Sequence, residues 1–355
     1  MTARSAVFAI PGDLASMTGG YIYDRRLMEE LRLLGRYMHH MPLSAGFPNP
    51  SPADTEDAAQ KLAAVPADQP ILFDGLAFGA MDHGALGRVR APVVALVHHP
   101  LALETGLSPA RRDHLSRLER ANLALATHVI VPSPHTASVL CAEYGMRPDR
   151  ITVARPGVDP RMGHAVPVDP PLILSVGIQV PRKGHDILLR ALARLTDREW
   201  QAVIVGTAQD AACAADLSAL VQDLKLEDRV RLTGRIPDQT LQEIYNQAFV
   251  FALATRHEGH GLVFDEAMIH GLPIISCDAG AVSGTVARDA GRLVPPDDPQ
   301  AFADALAAVL DDHEARAHMA VASARAGSRL PSWQATARTV DDVLSRVASG
   351  TLTRE

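Results

Sequence analysis

Short, nearly continuous apolar runs alternate with longer amphipathic stretches along most of this 355-residue chain. The runs are Ala6–Ile10, Pro70–Phe73, Pro92–Val97, His128–Val131 and Ile151–Ala154, then Leu172–Val176, Gln201–Val205, Arg229–Thr233, Val250–Leu253 and Leu272–Ser276. Helical periodicity fills many of the gaps, as in Tyr23–Leu34, Arg111–Ala126, Ile187–Leu195 and Ala211–Leu224. A strand that is apolar at every position needs cover on both faces, and parallel sheets flanked by helices supply it. The pattern therefore predicts an α/β chain. Its ten or so strands suit two parallel sheets of five or six each.

The segment PGVDPRMGHAVPVDPP, residues 156–171, is rich in proline and poor in periodicity, which marks a linker. It predicts a first domain over 1–165 and a second over 166–331. Residues 332–347 form an amphipathic helix with no strand after it, and the residues from Ser349 onward are expected to fray. No repeat of solenoid length is visible.

Composition excludes several classes. The net charge of −7 argues against a nucleic-acid-binding protein. The acidic excess lies entirely in the second half: residues 1–165 hold 16 basic and 16 acidic side chains, and the remainder holds 18 and 25. A neutral first half can approach a membrane surface without strong repulsion. Cys141, Cys213 and Cys277 are far apart, which fits reduced thiols rather than disulfides or a zinc site. No apolar leader follows Met1, and no run reaches the length of a membrane span. The expectation is a cytoplasmic protein, soluble or peripheral at the inner face of the membrane.

The run His257-Glu258-Gly259-His260-Gly261-Leu262-Val263-Phe264-Asp265-Glu266 follows the strand FVFALAT and opens a helix. Its glycines let backbone amides approach a ligand closely. The helix N-terminus offers unpaired N–H groups and partial positive charge to an anion such as a diphosphate. Glu266 is expected in the first turn, where its carboxylate can accept bonds from two vicinal hydroxyls; acidic capping of a helix is the plainer explanation. A second element, Gly177-Ile178-Gln179-Val180-Pro181-Arg182-Lys183-Gly184, also lies between a strand and a helix. Arg182 offers a forked donor set and Lys183 a point charge, both suited to phosphate, although a solvated basic turn would look the same.

Together these elements resemble the family 4 glycosyltransferases of GT-B fold. EGHGLVFDEA is similar to that family's E-x7-E signature, with His260 where an aromatic is usual and Val263-Phe264-Asp265 in place of Pro-Val-Leu. RVRLTGRIPDQTLQEIYNQA resembles the segment walling the nucleobase pocket, and the resemblance spans about 171–292. It implies two Rossmann-like domains whose parallel sheets face a central cleft. It also implies that Glu258 meets the donor sugar and Glu266 the ribose. Gly261 and Leu262 amides, with Gly259, His260 and Val263 beside them, would then touch the diphosphate. Gly177, Arg182 and Lys183 would hold the same group, with Gly206, Arg235 and Ile236 around the base.

The first domain is less explicit. Gly19-Gly20 follows the first strand, and the family uses such a pair to approach phosphate and acceptor; a tight turn is the alternative. His98-His99 ends the strand VVALV, where α/β sites are built. The family has a histidine there that touches the donor sugar, and His98 fits the register better than His99. An uncharged imidazole would suit a sugar hydroxyl, since it both donates and accepts. Glu104 lies nearby, and Asp74 is an acceptor ligand or a loop cap. Ser133, Arg155–Asp159 and Trp333 match further family elements. The resemblance places the final helix back on the first domain.

The implied function is retaining hexosyl transfer from a UDP- or GDP-sugar to a glycan, lipid-linked or small-molecule hydroxyl, as in cell-envelope or exopolysaccharide synthesis. His98, Glu258, Arg182 and Lys183 would be the catalytic set. No D-x-D ends a strand, so neither metal nor other cofactor is expected. A GT-B epimerase, a phosphorylase or a non-enzymatic sugar-nucleotide binder would share the architecture. A dinucleotide oxidoreductase is disfavoured because no G-x-G-x-x-G follows the first strand.

Overall fold

The computed structural model describes residues 4–353. They divide into two compact units, one running to Gly157 and resuming at Pro331, the other Val158–Leu330. The crossing at Gly157 falls inside the proline-rich segment, so residues 158–165 belong with the second unit rather than the first.

The first unit is a six-stranded parallel sheet of β1 (Ser5–Pro11), β2 (Tyr37–Leu43), β3 (Ile71–Asp74), β4 (Val93–Leu96), β5 (His128–Val131) and β6 (Ile151–Val153), in the order 2-1-3-4-5-6. Strands β3, β4 and β5 are buried at every position, which is why they read as apolar runs. On one face Val7, Phe73, Ala95 and Val129 join Phe78, Leu86, Leu115 and Leu123 in one core. The Gly19–Leu33 helix packs against the Trp333–Ala348 helix, which also lies on β5. The order reverses between β1 and β3, so a crevice opens at the carboxyl ends of those two strands.

The second unit is a six-stranded parallel sheet of β7 (Leu172–Val176), β8 (Gln201–Val205), β9 (Val230–Gly234), β10 (Val250–Leu253), β11 (Ile274–Cys277) and β12 (Gly291–Val294), in the order 12-11-10-7-8-9. Its reversal lies between β7 and β10. Trp200, Ile173, Ile204 and Phe302 fill one side of the sheet, and Phe251, Phe264 and Tyr245 the other. The sheets number twelve strands where the sequence announces ten. The unannounced pair, β2 and β12, are partly buried edge strands whose runs are broken by His39-His40 and by Arg292.

Candidate functional site

In the second unit the chain leaving β7 and the chain leaving β10 meet at the switch point. Pro181–Lys183 forms a short 3₁₀ turn after β7, and Gly184 follows at a φ of +64°. A Cβ on Gly184 would lie 1.8 Å from the Ala254 carbonyl oxygen, so glycine is required for the two loops to touch. Lys183 is buried, its stem lying against Gly177, and its Nζ donates to Glu258 Oε1 at 2.6 Å. Thr255 Oγ1 donates to the same oxygen at 3.0 Å. Arg182 Nη1 donates to the His257 carbonyl at 3.0 Å and lies 3.6 Å from Glu258 Oε2. Burial alone would raise the Glu258 pKa. The charges of Lys183 and Arg182, with the bonds from Lys183 and Thr255, outweigh it and hold the carboxyl below its ordinary range. Arg182, Lys183 and Glu258, predicted from two separate motifs, thus form one cluster.

Gly261 caps the following helix, Leu262–Ile269, at a φ of +90°, and a Cβ there would strike the Phe264 ring at 2.6 Å. Gly259 lies half-buried in the same turn, and Leu262 and Val263 begin the helix. Glu266 is the fifth helical residue, not a first-turn residue as the spacing suggests; Asp265 holds the first-turn position. The helix starts at Leu262, one residue past the second glycine, which moves Glu266 into the second turn. Glu266 Oε2 accepts from the Tyr245 hydroxyl at 2.8 Å. Burial raises its pKa to about 7, against the lowering bond from Tyr245. His260 is buried and its Nε2 lies 2.5 Å from Asp265 Oδ2, so it is paired inside the loop. The far nitrogen of His260 and the far oxygen of Asp265 are buried without a hydrogen-bond partner among the described residues.

Gly206 has a packing reason of its own: a Cβ would lie 1.8 Å from the Gly177 carbonyl oxygen, where the turn after β8 abuts the turn after β7. Arg235 is exposed and Ile236 half-buried after β9, and no hydrogen bond or ion pair among the described residues links Arg235 to the Lys183–Glu258 cluster.

In the first unit, Gly19 and Gly20 are the first two residues of the Gly19–Leu33 helix rather than a turn before it. A Cβ on Gly20 would sit 3.2 Å from the His98 ring. His98 Nε2 lies 3.0 Å from Asp24 Oδ1 and 3.6 Å from Asp74 Oδ2. Burial works against a charged ring. The charge and hydrogen bond of Asp24, then the charge of Asp74, prevail and raise its pKa. From the sequence an uncharged imidazole is expected; the two carboxyls here favour the protonated ring. His99 takes a different partner, Glu104, at 3.4 Å. Asp74 is a cap as well as a neighbour of His98, accepting from the Leu76 N–H at 3.0 Å. Ser133 caps its helix through the Thr136 N–H. Gly157 passes so close to Trp333 that a Cβ would fall 2.1 Å from its backbone nitrogen.

The profile of the group 1 glycosyl transferases matches residues 161–325, and that of glycosyltransferase family 4 matches residues 45–161. The chain belongs to the family 4, group 1 glycosyl transferases. Among curated relatives, the D-inositol 3-phosphate glycosyltransferase of Xylanimonas cellulosilytica is 32% identical over 64% of this chain and 59% of its own length. That of Thermobifida fusca is 31% identical over 71% and 63%. The chain thus spans about three fifths of the relatives it matches. Sucrose-phosphate synthase of Thermosynechococcus elongatus superposes with a TM-score of 0.83 at 22% identity, covering 98% of this chain and 100% of that one. HepE of Anabaena, in complex with UDP and glucose, gives 0.77 at 18%, covering 96% and 99%. At these identities the likeness is one of fold, and the fold is GT-B.

For this family 4 member, sequence reasoning missed Thr255, Asp24 and Asp265. Thr255 is the first polar residue after β10 and the only one of the three with a readable signal. Tyr245 stood in the quoted nucleobase segment, but nothing in its spacing tied it to Glu266.

Proposed function

We propose that this chain is a retaining glycosyltransferase that moves a hexosyl unit from a UDP- or GDP-sugar to a hydroxyl of a glycan, lipid-linked or small-molecule acceptor, without a metal, in the cytoplasm or at the inner face of the membrane. The observation that carries the reading is the Lys183–Arg182–Glu258 cluster beside the glycine-capped helix Leu262–Ile269. Relatives named D-inositol 3-phosphate glycosyltransferases support glycosyl transfer, and HepE in complex with UDP-glucose supports a nucleotide-sugar donor.

In this reading the bond from the anomeric carbon to the diphosphate breaks as negative charge grows on the departing oxygen. Lys183, Arg182 and the N–H groups at Leu262 and Val263 stabilise that charge as it develops. Glu258, held ionised, accepts bonds from sugar hydroxyls. The acceptor oxygen attacks the same face, and its proton passes to the departing phosphate. Glu266 with Tyr245 takes the ribose.

The test is a thermal-shift screen of UDP-, GDP- and ADP-sugars followed by a transfer assay. A donor at 100 times its Kd stabilises by about 2.7 kcal/mol. The reading is overturned if none of them stabilises the protein and none is consumed. The donor atoms of Asp24, Asp74 and His98 lie within 4.8 Å of one another, close enough to compete for a cation, so the assay is repeated with excess chelator. Loss of transfer that manganese or magnesium restores would overturn the metal-free part.

A further inference from the structure

Asp24, Asp74 and His98 come from three separate elements of the first unit. Asp24 lies on the Gly19–Leu33 helix, Asp74 ends β3 and His98 follows β4. The carboxyl groups are buried, with Asp24 1% and Asp74 2% exposed, while the ring is half-buried. Acids so deep are costly unless paired, and the ring is what pairs them. Its Nε2 lies 3.0 Å from Asp24 and 3.6 Å from Asp74. Further contacts fix its plane. Tyr23 meets it edge-on at 5.2 Å, and Gly20 leaves the gap its Cδ2 occupies. Tyr23 is itself tied down by its hydroxyl bond to the Ala154 carbonyl at 2.9 Å and by Trp333, edge-on at 5.7 Å. Among the described residues no hydrogen-bond partner meets the other ring nitrogen, Nδ1.

We infer that Asp24 and Asp74 are positioning residues, which lock His98 with its Nε2–H on the carboxylates and present Nδ1 to a substrate oxygen. The inference rests on the proposed transfer and adds what holds its histidine. The titratable groups against the ring are Asp24, Asp74 and Tyr23, and the Tyr21 hydroxyl feels the charges of the same two acids together with Asp13. Burial and the neighbouring Asp24 push the Asp74 pKa well up, as expected when adjacent buried acids cannot both ionise. One negative charge then faces the ring and favours its protonated form, in which the Nδ1–H donates.

The experiment follows the His98 ring nitrogens by NMR against pH in the full chain, the resonance being assigned by its loss in His98→Ala. It also measures kcat and KM for transfer against pH. In the wild type His98 should titrate above an ordinary histidine. Asp24→Asn should lower that midpoint by about one unit or more, the reach of a close opposite charge. It should lower kcat at least about tenfold with a smaller change in donor KM, and the alkaline limb of the rate profile should follow the ring. Asp74→Asn, a second variant should Asp24→Asn not fold, removes the mostly neutral acid and only its smaller share of the field, so it should move both in the same direction by less. A ring that titrates alike in wild type and both variants overturns the inference, whatever the activity. A ring that shifts while His98→Ala transfers sugar normally overturns the link to transfer and leaves the donor reading intact. A protein that consumes no nucleotide sugar sinks the donor reading itself, and with it the assigned task of the lock, even though the ring shift would stand. Stoichiometric zinc or manganese in the wild type, lost in Asp24→Asn, would replace the lock by a cation site and overturn it too.

Discussion

Lys183 is one of three lysines among the chain's 34 basic side chains, the others being Lys61 and Lys225. At 183 the side chain runs buried along Gly177, a slot for a linear stem with a compact charge rather than a planar fork. Lys183→Ala is expected to lower turnover by roughly 10- to 150-fold, the equivalent of about 1.5–3 kcal/mol for one charged hydrogen bond. Lys183→Arg should recover little of it. Steady-state kinetics that showed only a raised Michaelis constant would mean uniform binding instead of help to the leaving group. Glu266 gives a different signature. Its pKa of about 7 in the fold exceeds the ordinary carboxyl value, so the folded protein binds a proton the unfolded chain releases. That contribution is fully present below the ordinary range and is lost as pH rises toward 7. Glu266→Gln keeps an acceptor for Tyr245 and removes the titration. It should raise Tm relative to wild type at pH 8 but hardly at pH 5, while weakening donor affinity. An equal Tm change at both pH values would contradict this.

At the scale of elements, the glycine loop and its helix replace two usually apolar positions with His260 and Asp265, which find each other inside the protein. Breaking such a pair from one side strands a buried polar group, whereas exchanging both for apolar side chains can be nearly neutral. His260→Phe and Asp265→Leu should each lower Tm, and the double variant should recover most of the loss. Additive losses in the melting curves would show that the pair is not coupled. Gly184→Ala should be far worse than either, because it demands a left-handed side chain with its Cβ inside the contact distance of the Ala254 carbonyl. It should yield little folded protein, judged by circular dichroism; wild-type-like folding would refute the packing argument. These contacts also explain what could be read in advance. Arg182, Lys183, Glu258 and Glu266 were legible because each sits in a contiguous motif at a strand end. Thr255 and Asp24 enter only through tertiary contacts, and a lone threonine or helical aspartate carries no spacing signal. The central strands announced themselves by total burial, and the edge strands β6 and β9 by the apolar residues they keep, while β2, interrupted by His39-His40, and β12, a short strand carrying Arg292, did not.

For the whole molecule, the first unit is closed by a helix that follows the entire second unit in sequence. Arg36 is 1% exposed, and its guanidinium donates to Asp341 Oδ1 at 2.6 Å and to Ser345 Oγ at 2.7 Å. Removing one partner of a buried ion pair costs about 3 kcal/mol or more. Asp341→Ala should therefore destabilise the first unit by about that amount in urea unfolding. A loss under about 0.5 kcal/mol would show that Ser345 and the Asp341 carbonyl suffice.

The same connectivity sets an order of events on the ribosome. Domains fold as units while the chain emerges, at about 5–20 residues per second. The second unit is a continuous stretch, Val158–Leu330, and can close as soon as it has left the exit tunnel. The first unit begins earlier and finishes later. During the roughly 9–35 seconds needed to add those 173 residues, Tyr23 and Arg36 lack Trp333 and Asp341, and the nascent first sheet exposes the surface this last helix covers. The segment that starts first is thus the one in longest need of a chaperone, and its release is timed by the synthesis of Trp333–Ala348.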